Sequence, residues 1–143
     1  PGAQYWIPKR GWETFQEEEH VKYSVVPLVE LGALNLADGE TSLTSEVTMV
    51  PTPGHTPGHM SISISSQGHI AYILGDIINF PFQAQETTWQ IVFDSDSAQA
   101  IRTREAMLER LMNENALVGV GHFMPPSFGR IVANKGYRYW QGI

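Results

Sequence analysis

The chain has 143 residues, no cysteine and a formal net charge of −6 at pH 7. That length suits one compact domain or a portion of a larger one. Without cysteine there is no disulfide framework, no thiolate metal site and no cysteine nucleophile, so any metal must be held by histidine and carboxylate. Nine Lys and Arg stand against fifteen Asp and Glu without forming a basic cluster, so neither nucleic acid nor an anionic membrane is expected as a partner. No apolar run approaches the roughly 20 residues that cross a bilayer. A soluble chain is expected, the cytoplasm slightly favoured as its location, with a missing N-terminal signal as the alternative. The chain starts at Pro1 without an initiator methionine, which reads as a processed protein or a piece of a longer one.

Residues 4–8, Gln-Tyr-Trp-Ile-Pro, are an aromatic and β-branched run closed by proline and read as a strand. In the glutamate-rich segment that follows, Trp12 and Phe15 stand three apart, the spacing of a short helix with one apolar edge, with a solvated loop as the alternative. Residues 25–51 give short apolar runs cut by Gly32 and Asp38-Gly39, which predicts short strands joined by turns. Met60, Ile62 and Ile64 alternate with Ser61, Ser63 and Ser65, the pattern of a strand with a buried apolar side and a small polar face. After a turn at Gln67-Gly68, residues 70–74 are apolar on both sides, as in a strand covered on both faces, and the two form a hairpin.

Beyond a proline-containing loop at 80–85, Asp94-Ser95-Asp96 supplies capping chemistry for one long helix, near residues 95–115, with a core stripe of Ile101, Leu108, Leu111 and Met112. Residues 116–120 read as a further strand, and 129–133 with 137–140 as a terminal hairpin about Asn134-Lys135-Gly136. The one repeat, Thr-Pro-Gly-His at 52–55 and 56–59, is too short to be a structural unit. No low-complexity linker divides the chain, so residues 1–143 are read as a single domain.

Three polar residues stand just past strand ends: His55 after residues 47–51, Asp76 after 70–74 and His122 after 116–120, each preceded by glycine. Layered sheets gather catalytic side chains on the loops of one edge. Two histidines and a carboxylate are also the donor set a divalent cation such as zinc takes in a cysteine-free protein. Taken singly, a histidine after a glycine is far more often a surface or satisfied residue than a ligand, and Thr-Pro-Gly is also an ordinary turn.

The combination resembles the C-terminal half of the metallo-β-lactamase-fold hydrolase superfamily. The resemblance rests on Val-Pro-Thr-Pro-Gly-His-Thr-Pro-Gly-His-Met-Ser at 50–61, Ile-Leu-Gly-Asp at 73–76 and Gly-His-Phe-Met-Pro-Pro at 121–126. It implies an α+β fold, part of an αββα sandwich with a mostly antiparallel or mixed sheet, of which residues 1–143 are the C-terminal portion. It further implies one or two zinc ions in an intact relative, with His55 a ligand of the first, Asp76 the bridging carboxylate and catalytic residue, and His122 a ligand of the second. His59 would orient the loop from behind.

The implied reaction is attack of a metal-bound hydroxide on a small-molecule ester, lactone, lactam or phosphotriester. The stretch from Trp89-Gln90-Ile91 through Phe93 to Asp96 is similar to the methyl-parathion-hydrolase-like branch. Asn79 stands where the lactone-cleaving branch carries tyrosine, which weighs against lactones. Phe80, Phe82, Trp89, Phe123 and Phe128 lie close in sequence to these ligands and read either as walls of an apolar substrate pocket or as ordinary core aromatics.

The family's other metal motif, His-x-His-x-Asp-His, does not occur in these 143 residues, and His20 and His69 are too isolated to replace it. Each metal would keep one histidine and a shared carboxylate, where catalytic zinc ordinarily has three protein ligands and a water. The chain alone is therefore expected to bind zinc weakly or not at all and to be inactive. Half a sandwich leaves an apolar face in water, so a homo-oligomer is expected, a two-fold dimer in the simplest case. The alternative to an enzyme is a catalytically inactive truncated relative that acts as an oligomeric or binding module.

Overall fold

Two parallel strands, β1 (Tyr5–Pro8) and β2 (Leu34–Ala37), open the fold in a computed structural model that describes residues 2–143. They are joined by three short helices, α1 (Lys9–Phe15), α2 (Glu19–Ser24) and α3 (Val26–Glu30). The helix expected around Trp12 and Phe15 is thus present. The strands expected from residue 25 onward begin only at β2, because Val25 N–H donates to Val21 O and Val29 N–H to Val25 O, continuing a helical ladder through 25–31. Pro27 does not interrupt it, since it sits in the first turn of α3, where its missing N–H costs nothing.

The main sheet has seven strands in the order β3 (Thr41–Ser42), β4 (Val47–Pro51), β5 (Met60–Ser66), β6 (His69–Ile73), β7 (Leu117–Gly119), β8 (Phe128–Asn134) and β9 (Tyr137–Gly142). Every neighbouring pair is antiparallel except β6 and β7, which run parallel. The mixed α+β architecture expected from the sequence is therefore observed. Gln67 and Gly68, both at positive φ, form the two-residue loop of the β5–β6 hairpin, the geometry whose twist matches that of the strands.

The long helix, α4 (Ser97–Asn113), crosses between β6 and β7 and is slightly shorter than the expected 95–115. Its cap is Asp96, whose carboxylate accepts from Gln99 N–H at 2.8 Å; Asp94 plays no part in capping. Ala100, Arg104, Met107, Leu108 and Leu111 are its buried positions, an apolar stripe of helical period broken by one arginine. The stripe packs with Tyr72, Leu74, Val118, Val120 and Ile131 to form the core.

Only one face of the sheet is covered in this way. The register sets Ser61 beside Val50 and Ser63 beside Tyr72, on the side that meets α4, while Ile62 pairs with Ile73 on the other side. Ser61 is 0 % exposed and bonded to Leu74 O, whereas Ile64 and Ile73 are 36 % and 43 % exposed. The alternation expected in β5 is correct in period but reversed in burial, and β6 is covered on one face rather than two. On the apolar outward face Met49, paired with Ile62, is 5 % exposed, whereas Ile64 and Ile73 stand open to solvent, which is why pattern and burial part company here. Among the described residues, no helix is long and apolar enough to cross a membrane.

Candidate metal centre

Strands β4 and β6 are each antiparallel to β5, and β7 is parallel to β6, so the C-terminal ends of β4, β6 and β7 open at one sheet edge. The loops leaving those ends carry His55, Asp76 and His122. His122 Nε2 lies 2.6 Å from Asp76 Oδ1, and His55 Nε2 lies 3.8 Å from Asp76 Oδ2. Two histidines 67 positions apart in the sequence are thereby gathered around a single carboxylate. His122 is the most open of the three, its side chain 59 % exposed against 22 % for His55 and 31 % for Asp76.

His55 is held from behind by Asp94, whose Oδ1 lies 3.0 Å from His55 Nδ1 and whose side chain is 1 % exposed. A carboxylate accepts, so a ring proton sits on Nδ1, and Nε2 is the nitrogen that faces Asp76. Backbone bonds dock the two loops: Ser95 N–H donates to His55 O and Asp96 N–H to Gly54 O, both at 3.0 Å. Asp94 thus serves His55, whereas its place in Asp94-Ser95-Asp96 suggests a helix cap. The available signal was that Asp94-Ser95-Asp96 offers two acids where a cap uses one.

His59 does the corresponding work for Asp76. Its Nε2 accepts from Asp76 N–H at 3.0 Å, and its Nδ1–H donates to Thr52 O at 3.0 Å. Burial is the main cause holding its pKa below the usual histidine value, as the neutral ring with one donor and one acceptor requires. Gly75 allows this approach: at φ +63° it adopts the left-handed conformation, and a Cβ there would stand 2.6 Å from His59 Nε2.

An open cleft of about 500 Å³ lies over the cluster, with Asn79, Phe80, Ile91 and Phe93 completing its wall. Phe80 stacks on Phe82, and Phe82 meets Trp89 edge-on, the three forming a half-exposed aromatic shelf beside the cleft. Of the five aromatics weighed from the sequence, Phe80 lines the cleft, and Phe82 and Trp89 only adjoin it. Phe123 is buried against Trp140 in the core, and Phe128 stands on the sheet against Ile73 and Gly119. Ile91 and Phe93 were not singled out, because nothing local marks an apolar loop residue as facing a site. His20 and His69 are exposed and apart from the cluster.

The donor chemistry suits a divalent cation: two imidazoles and a carboxylate, with His55 already oriented by a carboxylate as metal-bound histidines commonly are. The spacing is only partly prepared. Neighbouring ligands on a tetrahedral zinc with bonds of roughly 2.0–2.2 Å stand roughly 3.3–3.6 Å apart. The His55–Asp76 distance is close to that, while His122 and Asp76 have closed into a hydrogen bond. Among the described residues, no group of three or more His, Cys, Asp or Glu has the arrangement of a metal cage. The residues fit as part of a site, short of its full ligand count.

No family model matches the chain. A curated N-acyl homoserine lactonase from Bacillus sp. is 26 % identical over 106 residues, covering 73 % of this chain and 40 % of that protein. The hydrolase AbOPH of the β-lactamase superfamily matches all of this chain at a TM-score of 0.87 and 18 % identity, over 56 % of its own length. AidC, a dizinc quorum-quenching lactonase solved with a homoserine product, matches all of it at 0.80 and 20 % identity, over 55 % of its length. The chain thus spans between two fifths and three fifths of the proteins it resembles.

Proposed function

Starting from a chain that carries a portion of the metallo-β-lactamase hydrolase fold, we propose that it supplies one side of a zinc-dependent hydrolase site, the remaining ligands coming from polypeptide outside these 143 residues. The observation that carries the reading is the convergence of His55, Asp76 and His122 at one sheet edge, with His55 held by a buried carboxylate. His55, Asp76 and His122 would be this chain's ligands to the metal. When bound, zinc lowers the pKa of water so that it is deprotonated near neutral pH.

This chain's own residues do the rest. Asp94 keeps the His55 proton on Nδ1, so that Nε2 is free to act as a ligand. His59 pins the Asp76 backbone, which fixes where the carboxylate points. Asp76 Oδ1 is taken up by His122, and its Oδ2, 3.8 Å from His55 Nε2 and beyond hydrogen-bond distance of it, is the oxygen that can accept from a water and orient it. Phe80, Ile91 and Phe93 offer apolar surface for the substrate and exclude bulk water on that side.

The wall this chain contributes is largely apolar, through Phe80, Ile91 and Phe93, which suits neutral esters, lactones and phosphotriesters. Lactones stay in this class because two of the similar proteins bear the name lactonase, although Asn79 stands where the lactone-cleaving branch carries tyrosine.

The test compares this chain alone with the chain joined to a segment bearing His-x-His-x-Asp-His. Zinc uptake is followed by calorimetry and turnover on a panel of neutral esters, lactones and phosphotriesters. Weak zinc uptake and no turnover are expected for the chain alone, and zinc-dependent hydrolysis abolished by Asp76→Ala for the joined protein. Tight zinc uptake by the chain alone, or turnover indifferent to Asp76→Ala, refutes the reading. The second reading, a non-catalytic oligomeric module, is favoured by one observation: the uncovered sheet face with Ile64, Ile73 and Phe128 exposed.

A further inference from the structure

Arg104 is 0 % exposed, a charged side chain buried as fully as the Asp94 carboxylate, whose side chain is 1 % exposed. A buried guanidinium is costly unless its donors are used, and it occupies a position where helical period calls for leucine. Its Nε donates to Ile77 O at 2.8 Å, and its Nη1 donates to Thr87 O at 2.6 Å and to Trp89 O at 3.0 Å. These carbonyls belong to two separate segments. Ile77 directly follows Asp76, and Thr87 and Trp89 begin the loop that ends at Asp94.

Gln83, also 0 % exposed, works from the other side. Its Oε1 accepts from Asn79 N–H at 2.8 Å and Phe80 N–H at 3.1 Å, and its Nε2 donates to Trp89 O at 3.0 Å. The Trp89 carbonyl therefore receives two donors, one from each residue. The loop it starts delivers Asp94, which accepts from Ile91 N–H and from His55 Nδ1.

We propose that Arg104 is a positioning residue of the candidate site: by bridging Ile77 O to Thr87 O and Trp89 O from within α4, it holds the Asp76 turn and the Asp94 loop in register, so that Asp94 fixes His55 with Nε2 toward Asp76. The proposal rests on the function above only in naming His55 and Asp76 as ligands. A leucine at 104 would satisfy the helix stripe and leave the three carbonyls without this donor. A role confined to stability would be met by any well-packed side chain, and would not select groups on these two loops.

The tautomer of His55 is the readout, taken from long-range proton–nitrogen NMR correlations on the ¹⁵N-labelled chain. The native chain is expected to show His55 as the Nδ1–H form. Arg104→Met, which keeps the stem and loses the fork, is expected to move His55 to an exchanging mixture of tautomers while His59, held by Thr52, stays Nδ1–H. Leu108→Ala, a cavity on the same helix away from these carbonyls, is expected to leave His55 unchanged. Arg104→Lys keeps the charge but cannot bridge both segments, and a smaller shift of the same kind is expected.

A native His55 pattern in folded Arg104→Met overturns the proposal, as does an equal shift in Leu108→Ala. Should Arg104→Met fail to fold, Arg104→Lys decides, and an unshifted His55 there overturns it. Neither metal nor turnover enters the measurement. An inactive joined protein would therefore defeat the hydrolase reading and leave this one intact, and the reverse also holds.

Discussion

Gly75→Ala is the sharpest probe of how Asp76 is held. Alanine at φ +63° costs roughly 1–2 kcal/mol for the left-handed conformation alone. The new Cβ would also stand 2.6 Å from His59 Nε2, forcing apart the bond to Asp76 N–H and leaving a half-buried acceptor and donor unpaired, which costs roughly 1–3 kcal/mol more. The sum is roughly 2–5 kcal/mol. Gly68→Ala is the natural reference, because φ is +77° there and a Cβ would meet nothing within 4 Å, so only the conformational part, roughly 1–2 kcal/mol, applies.

At about 2.1 cal/mol/K per residue the unfolding entropy of a chain this size is about 0.3 kcal/mol/K, so Tm should fall roughly 7–17 °C for Gly75→Ala and roughly 3–7 °C for Gly68→Ala. In a His59→Ala background the clash and the bond are both gone, and the cost of Gly75→Ala should drop to that of Gly68→Ala. The assay is thermal and urea unfolding of the four proteins of the Gly75→Ala and His59→Ala double-mutant cycle, with Gly68→Ala as a fifth, reference protein. Equal losses for the two glycines, or an unchanged Gly75→Ala cost without His59, would refute the reasoning.

Three further outcomes are expected. The His59 pKa is lowered in the folded state, so an unfolded histidine takes up its proton first; stability should be complete above about pH 6.5 and fall as pH drops toward the folded pKa. His59→Gln should flatten that part of the urea-midpoint profile, and an unaltered slope would contradict the assignment. Asp96→Ala should cost about 1 kcal/mol in unfolding experiments, as loss of an N-cap does, whereas Asp94→Ala should instead disturb the His55 imidazole signals. The 143-residue chain should self-associate through its outward sheet face, with Ile73→Lys shifting light-scattering mass toward the monomer; a monodisperse native monomer at high concentration would count against this.

What could be read from the sequence followed physical range. The hairpins about Gln67-Gly68 and Lys135-Gly136 and the long helix announced themselves through neighbouring residues. So did the placement of His55, Asp76 and His122, because each follows a strand end and the strand directions bring those ends to one edge. Segment 25–31 misled because a short valine and leucine run suits either period, and the proline that suggests a break is tolerated in a first turn. The sides of β5 were inverted because alternation reports which residues share a face and is silent on which face meets α4. Asp94 and Arg104 escaped because their partners lie 39, 27, 17 and 15 positions away, beyond any local pattern.

The single parallel contact in the sheet has a consequence for the order of folding. Strands β6 and β7 run side by side only after the chain between them has travelled out, formed α4 and returned. Hairpins close locally and early, whereas this pairing must first spend the entropy of a long excursion. Asp76 stands just past the strand that the excursion leaves, His122 just past the strand to which it returns, and Asp94 and Arg104 lie on the excursion itself. The meeting of Asp76 with His122 therefore belongs to the non-local class of contact, expected to form after the local hairpins.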